Sequence, residues 1–178
     1  MSTGKSRFSI YELVLLPILG VLMFVSKLVM EFLPNVHLLG MFIMVFTLVY
    51  RSKALVPIYV YVFLLLFIGG FAPWWVANLY SWAVLWGITM LLPRQMPPKW
   101  QMIVYPLVCA LHGFAYGILC APAQALMFGL DFRGMVAWVV AGFPFDIVHG
   151  IGNLLTGLLI VPFAALLRRL NRMPQKTQ

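Results

Sequence analysis

From about residue 11 to about residue 170 the chain passes through one apolar stretch after another, and nearly all of its basic residues lie in alternate links between them. A water-soluble fold has no way to bury so much apolar surface: 63% of the 178 residues are hydrophobic, 9% are charged, and the mean hydropathy is +1.00. The solvent for these stretches is lipid. There a segment must satisfy its own backbone hydrogen bonds, so an all-α integral membrane protein is expected.

Six transmembrane helices are expected, at roughly residues 11–33, 36–50, 54–69, 73–92, 101–128 and 134–170, forming one membrane domain over 1–178. The second and third are short. About 15 residues make a helix of only about 22–24 Å, which requires local thinning of the bilayer or shielding by neighbouring helices. The sixth is too long for one simple span, and Gly142 and Pro144 are expected to divide it, because proline lacks a donor and clashes with the preceding turn. The first is too long for the core of a cleavable signal peptide and ends in no small-x-small site, so it reads as a permanent span.

Of the 12 Lys and Arg residues, all but Lys27 and Arg133 fall on one side of a six-span chain. Lys5 and Arg7 precede the first span, Arg51 and Lys53 follow the second, Arg94 and Lys99 follow the fourth, and Arg168, Arg169, Arg172 and Lys176 follow the sixth. The opposite links are Pro34-Asn35-Val36-His37, Gly69-Gly70-Phe71-Ala72-Pro73 and the turn holding Asp131 and Arg133. The positive-inside rule then places both termini in the cytoplasm, and the membrane is expected to be the plasma membrane of a cell of prokaryotic type. In a soluble protein a net charge of +8 would point to nucleic acid; here it flanks membrane spans, and nucleic acid is not an expected partner.

On this topology the intramembrane polar residues concentrate in the outer half. Lys27 and Glu31 lie one turn apart at the end of the first span, Asn78 follows Trp74 and Trp75 on the fourth, and His112 and Gln124 lie on the fifth. Asp146, His149 and Asn153, spaced i, i+3 and i+7, share one stripe of the sixth. Polar groups in hydrocarbon are costly and face partners or a wet cavity, so the clustering points to a site open to the outside, with His37 in the adjoining link. Two readings stay open for each residue. Asp146 either meets a ligand or caps the helix after Pro144, and His149 and Asn153 either meet a ligand or bond neighbouring helices. Lys27 and Glu31 serve as an internal ion pair or as a ligand contact. Trp74, Trp75, Tyr80 and Trp82 form an interfacial belt or a stacking wall, the latter with Trp75 and Asn78 on one face and Trp82 a turn further on.

Cys109, Gly113, Gly117, Ala121 and Ala125 repeat at four-residue spacing on the fifth span, a ladder that admits a close helix from the same chain or from a second subunit. Cys109 and Cys120 are about 16 Å apart in helical rise, too far for a mutual disulfide. No H-E-x-x-H, P-loop or Gly-x-Ser-x-Gly motif occurs, and the three histidines with Asp146 lack metal-ligand spacing, so neither an enzyme nor a cofactor is expected.

The run Gly142-Phe143-Pro144-Phe145-Asp146-Ile147-Val148-His149-Gly150-Ile151-Gly152-Asn153, with the apolar helix ending Leu167-Arg168-Arg169-Leu170, resembles the last helix of the substrate-binding S components of energy-coupling factor (ECF) transporters. Leu33-Pro34-Asn35-Val36 adds to the likeness in detail; elsewhere it lies in size and span number. The resemblance implies an S-component-like bundle that captures a vitamin or related micronutrient from outside and relies on a transmembrane coupling subunit and two cytoplasmic ATPases. It implies a pocket built from the outer loops and the outer ends of helices four to six, and the candidate substrate contacts read from the residues are Asp146, His149, Asn153, Asn78, Trp75, Gln124, Glu31, Lys27 and His37. Where many members carry Ala-x-x-x-Ala on the first helix, this chain has Leu16, Gly20 and Phe24, so Gly20 is a candidate subunit contact with Gly113 and Gly117. Nickel and cobalt members use an N-terminal histidine, whereas this chain begins Met1-Ser2-Thr3, so metal transport is not implied. Substrate identity stays open among a flavin, pterin, queuosine precursor, thiamine-like compound and corrinoid. The alternative function is a membrane scaffold resembling the MreD rod-shape proteins, which needs no tight small-molecule pocket.

Overall fold

A computed structural model describes residues 8–172, and among them every regular element is a helix, without a strand. Lys5, Arg7 and Lys176 lie outside the described residues. The helices are α1 (Ile10–Val29), α2 (Leu39–Tyr50), α3 (Leu55–Gly69), α4 (Pro73–Leu91), α5 (Pro98–Phe114), α6 (Tyr116–Phe128), α7 (Phe132–Gly157) and α8 (Ile160–Arg172), with a 3-10 turn at Arg51–Ala54 between α2 and α3. Local chemistry sets the boundaries. Ser9 and Glu12 form a reciprocal capping box at the start of α1, and Asp131 accepts from the Gly134 N–H at 2.7 Å at the start of α7. Pro73 and Pro98 open α4 and α5, where a missing N–H costs nothing. Gly129, in the left-handed region at φ 66°, closes α6.

Among the described residues four helical stretches are long and apolar enough to cross a bilayer: Ile10–Val29, Leu39–Gly69, Pro98–Phe128 and Phe132–Gly157. Their outward faces are apolar as well: Val14, Ile18 and Val21 on α1 and Phe145, Val148 and Leu155 on α7 are exposed, as a lipid-facing surface requires. The helix α2 does the opposite. Every residue from Leu39 to Thr47 is buried, so this 12-residue helix, about 18 Å long, is shielded by protein along most of its length. Shielding, one of the two expected remedies for a short span, is the one α2 uses.

Three boundaries depart from expectation. The first helix stops at Val29 rather than 33 and the second starts at Leu39 rather than 36, because Pro34 and the left-handed Asn35 (φ 59°) hold the intervening chain in turns. The helix α7 runs unbroken through Gly142 and Pro144, and the interruption falls instead at Leu158-Leu159. One missing hydrogen bond is tolerable in a 26-residue helix, and nothing crowds Gly142. The expected fifth span is two helices, divided at Ala115 (φ −90°, ψ 0°).

The small-residue ladder explains how α5, α6 and α7 pack. A Cβ on Gly113 would lie 2.8 Å from Gly150 Cα and 2.9 Å from Gly150 N, so the α5 and α7 backbones are in direct contact there. A Cβ on Gly157 would meet Pro106 Cα at 2.7 Å one level further along, and a Cβ on Gly117 would overlap the Asp146 carboxylate. Gly20 is filled likewise by Pro57 and Val60 of α3. The three glycines considered as subunit contacts are therefore taken up by partners within the chain.

Candidate functional site

Side-chain bonds mark the two ends of the bundle. At one end Lys53 Nζ meets both Glu12 carboxylate oxygens at 2.7 Å, Arg51 donates to Met90 O at 2.7 Å, Tyr50 donates to Asn171 at 3.0 Å, and the Trp86 indole donates to Arg51 O at 3.1 Å. This tied end carries the basic links. At the other end the start of α4, the ends of α1 and α3, and the 30–38 segment surround a cavity of about 370 Å³. Its polar lining is Lys27, Glu31, Asn35, His37, Asn78 and His149, and its aromatic lining is Tyr61, Trp74, Trp82 and Tyr116.

The deep wall is a continuous set of rings. His37 meets His149 edge-on with centroids 4.7 Å apart, Tyr116 meets His149 at 4.9 Å, and Trp82 lies 5.5 Å from Tyr116 and 5.9 Å from His37. Tyr116 donates to Asn78 Oδ1 at 2.8 Å, which fixes the amide and leaves its NH₂ as the remaining donor. Within this wall His37 Nδ1, Trp82 Nε1 and His149 Nε2 are buried without a hydrogen-bond partner. Buried polar groups are normally paired, and three without a partner among the residues of one wall make it the candidate site; His112 Nδ1, Asp146 Oδ2 and Asn153 Oδ1, outside the lining, are unpaired as well. Burial, reinforced by the Lys27 ammonium and to a lesser extent by His112, pushes the His37 pKa down to about 4. Its imidazole is neutral near pH 7.

Of the nine expected ligand contacts, Lys27, Glu31, His37, Asn78 and His149 come together here. Lys27 and Glu31 form the expected i,i+4 pair at 3.5 Å, at the mouth, with Glu31 largely exposed. The other four lie elsewhere. Trp75 is turned to α3, its indole donating to Val62 O at 2.8 Å, and Trp74 lines the cavity instead. Asn153 donates to Cys109 O at 3.2 Å and sits against Gly40, joining α7 to α5 and α2. Gln124 is partly buried on α6, away from the cavity lining. Asp146 is a cap, though for another helix than expected: its Oδ1 accepts the Gly117 N–H at 3.0 Å, in the first turn of α6. The stripe of Asp146, His149 and Asn153 is real, and all three are buried, but of the three only His149 lines the cavity. His112 likewise bonds a neighbour, Ser81 O on α4 at 3.0 Å.

Asn35, Tyr61 and Tyr116 were not expected in the site. Tyr116 is one turn beyond His112, yet the break at Ala115 swings it toward Asn78, and nothing in the local sequence announces that break. No family model, curated protein or solved structure matches the chain.

Proposed function

We propose that the chain is the substrate-capture subunit of an importer of the energy-coupling factor type, taking a vitamin or related micronutrient from outside a prokaryotic cell. It performs no catalysis and depends on a transmembrane coupling subunit and two cytoplasmic ATPases for energy. The observation that carries this reading is the 370 Å³ cavity with three unpaired buried nitrogens at one end of a bundle whose other end is tied shut. A scaffold of the rod-shape type has no use for such a cavity. On this reading the chain crosses six times, with α5–α6 and α7–α8 as the last two spans, and the basic end with both termini faces the cytoplasm.

Reconstituted alone, the protein is expected to bind its substrate without accumulating it, and to support ATP-driven uptake only together with coupling and ATPase subunits. Sustained ATP-driven uptake by the chain alone would defeat the proposal. The orientation is checked separately with Arg133→Cys, an exposed site in the first turn of α7, beside the Asp131 cap. The two native cysteines are buried and give little background. Labelling by an impermeant maleimide from outside intact cells is expected, and labelling only after inner-face access would reverse the orientation.

A further inference from the structure

The polar atoms that the cavity leaves open are mostly donors. The Asn78 carbonyl oxygen is taken by the Tyr116 hydroxyl at 2.8 Å, so only the amide NH₂ is left for anything else. That NH₂ and the Tyr61 hydroxyl have no partner among the described residues, yet neither is sealed from solvent as His37 Nδ1, Trp82 Nε1 and His149 Nε2 are. Both therefore keep accessible surface. Asn78 is only 5% and Tyr61 only 2% exposed, and both line the cavity, so the little surface they keep opens into it.

Lys27 adds a charged donor at the mouth. Its side chain is 30% exposed, and it is paired at 3.5 Å with Glu31, whose own side chain is 68% exposed and shares its charge with water. An ammonium has more donors than that one contact uses. Its field also reaches inward, since it helps to depress the pKa of His37 in the cavity wall. Glu31 is the acidic side chain of the lining and lies mostly in solvent, while the imidazoles and Asn35 take either role. Around the same space Tyr61, Trp74, Trp82 and Tyr116 supply aromatic rings. A guest that suits this lining brings acceptors, negative charge at the mouth and a flat apolar body.

From this arrangement we infer that the cavity takes an aromatic monocarboxylate, its carboxylate meeting Lys27 at the mouth and a neutral ring acceptor, a carbonyl or a ring nitrogen, meeting the Asn78 NH₂. The ligand carboxylate replaces the exposed Glu31 as the partner of Lys27. This names a substrate class for the capture role proposed above and rests on that reading only for its biological meaning. It sets aromatic acids apart from cationic ligands, whose charge would face the Lys27 ammonium and the Asn78 donor.

The test uses the full chain in lipid nanodiscs at pH 7, with calorimetry as the readout. The probes are 3-(quinolin-3-yl)propionate, its primary amide, 3-(quinolin-3-yl)propylamine, and 3-(naphthalen-2-yl)propionate, which keeps the shape and the carboxylate but lacks the ring nitrogen. The quinoline acid is expected to bind saturably and roughly 10- to 150-fold more tightly than its amide or the amine, the span of a hydrogen bond to a charged group. Loss of the ring nitrogen is expected to weaken binding by roughly 2- to 12-fold, the span of a neutral hydrogen bond. Lys27→Met should abolish the preference for acid over amide and leave amide affinity unchanged, which general damage to the fold would not do. Glu31→Gln serves as a second variant should Lys27→Met not fold: it frees the ammonium, and acid binding should tighten by up to about 5-fold. No binding of the quinoline acid, binding of the amide or amine at least as tight, equal binding of the naphthalene acid, a preference that survives Lys27→Met, or weaker acid binding by Glu31→Gln would overturn the inference. Energised uptake is measured separately with coupling and ATPase subunits. Acid binding without it leaves this inference standing and removes the transporter reading, whereas energised uptake of another solute without acid binding does the reverse.

Discussion

Replacing Gly113 with valine is expected to give the largest loss of stability of any single change along α5. The added Cβ would fall 2.8–2.9 Å from backbone atoms of Gly150, and backbone cannot rotate away as a side chain can. The α5 and α7 helices would have to separate along their whole contact, which also carries Pro106 against Gly157 and Asn153 against the Cys109 carbonyl. Overpacking of this kind costs about 3 kcal/mol. On the scale of soluble domains of similar length that is a fall of roughly 6–12 °C in Tm. A thiol-reactive dye measures it, since Cys109 and Cys120 are both free and buried and become reactive only on unfolding. Gly87, around which a Cβ would find open space, is the control: Gly87→Ala should leave the melting temperature unchanged or slightly raised. A Gly113→Val protein as stable as wild type would mean that α5 and α7 do not meet as described.

The second large effect is expected at Asp146, and its two substitutions should separate. Asp146→Ala leaves the Gly117 N–H without an acceptor in the membrane interior, at a cost of about 1–3 kcal/mol. Asp146→Asn retains a carbonyl oxygen at the same place and should stay close to wild type in stability. Because Asp146 lines no part of the cavity, the folded Asp146→Asn protein should bind ligand with unchanged affinity. Loss of binding by a stable Asp146→Asn protein would return Asp146 to the ligand site and remove its role as a cap.

These two positions also show what could be read from sequence and what could not. The ladder of small residues was visible as a pattern because close helix approach leaves a four-residue signature, and the structure supplies its partner, α7. The polar stripe at Asp146, His149 and Asn153 was visible for the same reason. Its division of labour was not, since three residues on one helical face look alike until the neighbouring helices are in place. The break at Ala115 was hidden because no proline or glycine stands at that position, and the Asp146 carboxylate that caps the following helix is 29 residues away in sequence. Trp74 and Trp75 were both legible as aromatic neighbours at the start of α4. Which of them faced the cavity was decided by the Val62 carbonyl on α3, a contact that no local pattern encodes.

The knot of bonds around Arg51 and Lys53 has a mechanical consequence. Glu12, Lys53, Arg51, Met90, Tyr50 and Asn171 clamp the ends of α1, α2, α4 and α8 to one another, whereas at the cavity end the bonds of Trp75 to Val62 O and of Tyr116 to Asn78 tie α4 to α3 and α6, and the end of α1 carries the local Lys27–Glu31 pair. Stiffness is thus graded along the bundle axis, as in a clothes-peg. If the protein captures a solute as proposed, the motions that admit it are expected at the end of α1 and in the 30–38 segment, while the clamped end, with its positive-φ Arg51 (φ 57°), keeps the helices in register. Amide exchange should accordingly be fast in residues 30–38 and slow around the 51–54 corner, a gradient that runs along the molecule rather than from surface to core.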